Sequence, residues 1–348
     1  MLRVTAAVVA MLAFVPVAAA DVNADRARAS LAALDQAFRT SGATYRDPGE
    51  AHAVYAWPFS QEVAASIAVA AMPEATRADR RRAATDVAAL ARYRSGRVYG
   101  ATPGGPVFVD DNEWIAFDLL DWSVLAHDAS AAANARGIFG LAVARWDGAA
   151  ADPCTGGVYW TLRGPNHDRN AVTTGGGALL GLRLAALRGN DPAVRWWSRR
   201  MLDWLDSCLL EPDGFYSDHI DASGRLEPRA WSYNQGLVIG ADVLAAQAGD
   251  PTALPRAESL AQASLYFLDP SRLWAEPAEF DAVLARNLLL LGRVDGDQQW
   301  RAAVQAYADT AWASTRDPAT GLFDLDGTGP RLIEQAALTQ VYALLAAG

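Results

Sequence analysis

The links between helical segments alternate in length along this chain, and that alternation constrains the fold more than any other feature. Apolar residues recur with a 3.6-residue period through Ala-, Leu- and Arg-rich stretches, and strand signals are scarce. Breaks at Gly, Pro and Asp predict about twelve helices. They span residues 23–40, 59–72, 77–93, 111–127, 130–147, 168–188, 192–210, 232–248, 252–267, 279–293, 298–314 and 331–346. Short links such as 73–76, 127–129 and 249–251 join antiparallel neighbours. Longer links, most of them rich in Gly, Trp and Tyr, cover 41–58, 94–110, 148–167, 211–231, 268–278 and 315–330. An even set of helices linked this way fits an all-α (α/α)6 toroid, with six inner helices ringed by six outer ones. A superhelical solenoid of helix pairs is the alternative, but no fixed-period repeat supports it.

Polar-aromatic motifs sit at the start of every second helix: WPFSQE (57–62), VDDNEW (109–114), NHDRNA (166–171), WSYNQG (231–236), AEFDAVLAR (278–286) and IEQAAL (333–338). In a ring of alternating helices these entrances share one end. A surface that combines Asn, Gln and Asp with Trp and Tyr fits carbohydrate, whose hydroxyls hydrogen-bond and whose sugar faces stack on aromatic rings.

The formal net charge of −10 argues against nucleic-acid binding, which needs a basic face. Residues 1–20 read as a secretory signal: Arg3, an apolar run from Val4 to Val17, then Ala18-Ala19-Ala20 before Asp21. The expected mature protein is a single catalytic domain over 21–348, secreted, monomeric and without a membrane span. Cys154 and Cys208 would then form one disulfide, which could stabilise the fold by about 4 kcal/mol; two separate buried thiols are the alternative. Two Cys and four His offer no convincing metal cluster, and no cofactor is expected.

The paired Asp110 and Asp111 stand out. One acid suffices to cap a helix, and a cap beside a solvated first-turn acid is the plain reading. The chemical reading is that the helix N-terminus holds one carboxylate ionised while like-charge repulsion keeps the other protonated. One ionised and one protonated carboxyl is the pairing that glycoside hydrolysis uses. Adjacent residues suit the shorter spacing of a retaining enzyme, about 5–5.5 Å.

VDDNEWIAFDLLD resembles the paired-aspartate helix of glycoside hydrolase family 76, the endo-α-1,6-mannanases. Three further segments resemble that family in the expected order: WPFSQEVAASIAVA (57–70), GGVYWTLRGPNHDRNAVTTGGGALLGLRL (156–184) and WSYNQGLVIGADVLA (231–245). The likeness covers about residues 45–345. It implies an (α/α)6 barrel and a retaining, metal-free mechanism on α-mannan, with Asp110 as nucleophile and Asp111 as acid/base. Candidate substrate-binding residues are Gln61, Asn112, Trp114, Tyr159, Trp160, Asn170, Trp231, Tyr233, Asn234 and Gln235; for each, a capping or core role is the alternative. Glu279, Asp281 and Glu334 read as solvated first-turn acids, Asp118 and Asp121 as structural, and Arg286 as a buried carboxylate partner. The run 79–82 reads as a solvated face. A transglycosylase on the same site, a polysaccharide lyase and a non-catalytic sugar-binding protein are the competing functions.

Overall fold

The computed structural model describes residues 21–149, 154–163, 166–189, 191–273 and 275–348. The signal segment expected at 1–20 lies outside these residues.

Twelve α-helices are present among the described residues: α1 Val22–Phe38, α2 Ala56–Ala71, α3 Arg77–Ala89, α4 Val109–Ala126, α5 Ala129–Ala144, α6 Ala171–Arg188, α7 Pro192–Cys208, α8 Ser232–Gln247, α9 Ala253–Ser264, α10 Ala278–Asp295, α11 Gln298–Ser314 and α12 Leu332–Ala346. The even-numbered helices pack side by side in sequence, and α12 returns to α2, closing an inner ring. The odd-numbered helices pack outside, with α1 lying mainly on α12. The fold is the expected helical toroid.

The two sets of helices differ in ways their sequences explain. Outer α7 buries one stripe (Val194, Ser198, Met201, Leu202, Leu205). Inner α2 and α12 are buried on almost every face, and their Ala-rich surfaces let neighbours approach closely. Gly236 shows how closely: a Cβ there would stand 2.7 Å from the Leu284 Cα of α10. All outer helices but α9 begin with side-chain caps: Asp21, Thr76 in a capping box with Asp79, Asp128, Asp191 and Asp297. No inner helix has one. Their N-cap positions hold Tyr55, Phe108, Asn170, Trp231, Pro277 and Arg331.

Loops do the capping instead. The first N–H of α2 donates to Ala101 O at 2.9 Å, and that of α4 to Trp160 O at 2.8 Å. The first N–H of α8 donates to a Glu276 carboxylate oxygen, and that of α12 to Asp47. In each case the acceptor lies in the segment leading to the next inner helix around the ring. A second device clamps the long loops before α4, α6, α8 and α12 to their own helices. Four residues past the N-cap, Asn112, Gln235 and Gln335 each accept from the N–H and donate to the C=O of one loop residue, respectively Tyr99, Tyr216 and Phe323. Thr173 and Thr174 divide the same task at Val158.

Short strands hold the rest of the rim: β1 Arg94–Ser95 with β2 Val98–Tyr99, and β3 Arg169–Asn170 with β4 Ser217–Ile220 and β5 Leu226–Ala230, all antiparallel. The 79–82 run is only partly a solvated face. Arg82 reaches inward to Asp35, to Glu62 at 2.7 Å and to Asp86 at 3.3 Å, joining α1, α2 and α3. Cys154 and Cys208 are both half-buried against the core. The Cys154 carbonyl accepts from Arg169 at 2.9 Å and from Trp204 at 3.1 Å, which holds its loop to α7 and β3.

Candidate active site

The uncapped ends of the inner helices surround a cleft of about 500 Å³, lined by Asp110, Asp111, Trp57, Trp114, Trp160 and Tyr233 among others. Phe108 is the N-cap of α4, so the aspartates are its second and third residues and neither caps it. Trp160 Nε1 donates to both Asp110 oxygens at 3.0 Å, and the Asp111 N–H donates to Asp110 Oδ1 at 3.0 Å. Burial pushes Asp110 up to about 6, restrained by the Trp160 and Asp111 hydrogen bonds. Burial and the adjacent Asp110 charge push Asp111 up to about 8. Between those values Asp110 is the carboxylate and Asp111 the acid, which is the asymmetry that acid/base chemistry at a glycosidic bond requires.

The walls are aromatic. Tyr233 stacks on Phe280 at 4.0 Å, and Trp57 stacks on the same ring at 6.0 Å. Trp160 packs against Phe108, while Trp114, at the floor, lies against Phe117. A second hollow of about 420 Å³ adjoins the cleft and shares Asp47, Tyr55, Pro58 and Arg331 with it; Tyr55 is 57% exposed between them.

Of the sequence-derived candidates, Asp110, Asp111, Trp114, Trp160 and Tyr233 meet in the cleft. The others are placed elsewhere. Asn112 and Gln235 are the loop clamps described above, fully buried with both ends of the amide engaged, so they have nothing left for a sugar. Gln61 faces the ring axis and accepts from Gln340 at 3.2 Å. Trp231 stands edge-on behind Phe280 with Arg229 over its face. Tyr159 packs between Arg145 and His167. Asn170 and Asn234 are buried beneath the β3–β4 rim, and Asn234 donates to Asp218 at 3.4 Å. Arg286 does pair with a buried carboxylate, that of Asp121, at 2.9 Å.

Several site residues escaped the sequence reading. Glu279 lines the cleft and is buried rather than solvated; burial, with Glu334 adding to it, pushes its carboxyl up to about 7. Glu334 is likewise buried and paired with Arg331, and Asp281 is buried. Asp218, on β4, acts electrostatically on Asp110, and its Oδ2 lies 2.7 Å from His219 Nδ1. Phe280 and Trp57 sat inside motifs already noted. Nothing in the sequence marked Asp218.

A helical toroid with an unequal carboxyl pair in an aromatic cleft defines a glycoside hydrolase. The chain belongs to glycosyl hydrolase family 76, whose model matches residues 23–317. It is 32% identical over 114 residues to the mannan endo-1,6-alpha-mannosidase DCW1 of Candida albicans, covering 30% of this chain and 24% of that protein. The chain thus matches about a quarter of the length of that relative. The structure superposes on the family 76 mannosidase Bt3792 of Bacteroides thetaiotaomicron with a TM-score of 0.82 at 21% identity, covering 93% of this chain and 98% of the other. The GH76A alpha-1,6-mannanase of Salegentibacter sp. HEL1_6 gives a TM-score of 0.77 at 20% identity, with 93% and 99% covered. An inactive variant of that enzyme with two successive aspartates changed to asparagine is known in complex with alpha-1,6-mannotriose.

Proposed function

We propose that this glycoside hydrolase cleaves α-1,6-mannosidic bonds in mannan by double displacement with retention. The observation that carries the mechanism is the inequality of the aspartate pair: Asp110 is gripped as an anion by Trp160, while Asp111 beside it is held protonated. The Asp110 carboxylate attacks the anomeric carbon as the glycosidic C–O bond breaks, and the Asp111 proton passes to the departing oxygen. Asp111, now ionised, takes a proton from water, which attacks the same carbon and frees Asp110.

The sugar is argued from the named relatives above; the joined hollows past Tyr55 suit a chain of several residues and therefore cleavage within a polymer. The signal-like pattern of residues 1–20 supports export of the protein, with Asp21 as the first mature residue.

Proton NMR of linear α-1,6-mannan during digestion tests the proposal. Initial release of the α-anomer is expected. Initial β-anomer would remove Asp110 as nucleophile, and the absence of new reducing ends would remove mannan as the substrate.

A further inference from the structure

A separate cavity of about 240 Å³ lies on the ring axis, with Trp114 between it and the catalytic cleft. Its wall carries three guanidiniums, Arg183 of α6 and Arg286 and Arg293 of α10, together with Asp118 and Asp121 of α4. Asp121 accepts from Arg183 and from Arg286. Burial opposes its charge, yet the two guanidiniums outweigh burial and hold its carboxyl below the ordinary range. Asp118 behaves oppositely: burial and the Asp121 charge push it well above that range. Its Oδ2 is buried without a hydrogen-bond partner. Three guanidiniums thus share the cavity with two carboxyls, of which Asp121 alone is ion-paired to them.

Like charges brought together repel one another unless a counter-charge enters. Arg293 stands exposed at the mouth of the cavity, and burial and repulsion from Arg286 and Arg301 lower it from its ordinary value. Each guanidinium presents five N–H donors in a planar fork. Asp121 and Gln340 engage only a few of those on Arg183 and Arg286, and Arg293 makes one long hydrogen bond, 3.4 Å to Gly348 O.

We propose that this axial cavity binds a compact oxyanion of the inorganic phosphate type, held by Arg183, Arg286 and Arg293. The protonated Asp118 carboxyl supplies a further donor to its oxygens. Such a ligand ties α4, α6 and α10 together at the centre of the ring, below the catalytic cleft, and stabilises the closed toroid in proportion to its occupancy. The inference stands apart from the mannanase reading, since no catalytic residue takes part.

The test is calorimetric titration of the protein with inorganic phosphate at low ionic strength, paired with thermal unfolding at the same concentrations. One saturable site and a rising unfolding temperature are expected. Arg293→Gln leaves the Asp121 ion pairs in place and is expected to weaken binding by about tenfold or more. The double variant Asp110→Asn with Asp111→Asn is expected to bind phosphate as the parent does. Absence of saturable heat, undiminished affinity in Arg293→Gln, or loss of binding in the double aspartate variant would each overturn the proposal; the last would put the phosphate in the catalytic cleft.

Discussion

Replacing Trp160 with Phe removes the side-chain hydrogen bond that most favours the ionised form of Asp110. The phenyl ring can keep the packing against Phe108 but has no N–H for the Asp110 oxygens. A hydrogen bond to a charged group contributes about 1.5–3 kcal/mol, and about 1.36 kcal/mol corresponds to one pKa unit. A single N–H shared between two oxygens belongs at the lower end, so the loss is worth about one unit. The bond favours the ionised form, and its removal therefore raises Asp110. In the parent protein, kcat/KM is expected to follow a bell with an acid limb near about 6 and a basic limb near about 8. These limbs are properties of the coupled pair rather than of either residue alone. In Trp160→Phe the acid limb moves up by about one unit, the bell narrows, and its summit falls because fewer molecules hold one proton on the correct carboxyl. The assay is reducing-end release from linear α-1,6-mannan across the pH range at low substrate. An acid limb that stays in place or moves down refutes the reasoning, because the indole would then not be what keeps Asp110 ionised.

Other consequences are open to measurement. Asp110→Asn and Asp111→Asn should each abolish hydrolysis while calorimetry still detects mannooligosaccharide binding; turnover persisting in both would remove the pair from catalysis. Arg82→Leu strips the guanidinium paired with Glu62 and leaves Arg39 to Asp35 and Asp86; it should cost about 3–5 kcal/mol in urea unfolding, and a loss near zero would mean that burial already keeps Glu62 neutral. Gln235→Ala leaves the Tyr216 N–H and C=O unmet and should cost about 2 kcal/mol, with a raised KM because β4, which carries Asp218, begins one residue later. Gly236→Ala sets a methyl group against the α10 backbone and should destabilise by about 1–3 kcal/mol, whereas an unchanged midpoint would show that α8 and α10 can part freely.

The helices were legible because their period and their breaks are local properties. Inner helices were distinguishable from outer ones by the motifs at their starts, although the reason differs from the one those motifs suggested. Asn112, Gln235 and Gln335 were conspicuous as polar residues at helix entrances, where amides could serve sugar hydroxyls. Their partners are backbone groups of loops that return over the helix, a relation set by tertiary folding with no trace in local spacing. Glu279 was misjudged for a related reason: a first-turn acid looks solvated until the ring closes over it. Asp218 was invisible because β4 is brought near Asp110 only by its two-residue register with β3, and a short strand of mixed polarity carries no signal of its own. The Asp pair was readable because like charges side by side are costly wherever they sit, and a folded chain that keeps them does so for a local reason.

The fastening of the rim bears on how a polysaccharide can enter and leave. In four places a loop lends a cap to one inner helix, and two of those four loops, at Tyr99 and Val158, are also clamped to the helix that follows. The mouth of the barrel thus behaves as a hoop, in which pulling one segment loads its neighbours. A hoop does not swing open as a hinged lid does. Glycan is expected to slide along an already open trough, and the pace of turnover to be set by how readily the sugar moves over fixed aromatic rings. On the proposed mannanase reading, an enzyme of this build gives up the water exclusion that a closing flap provides, and in return it is expected to accept a glycan away from its ends.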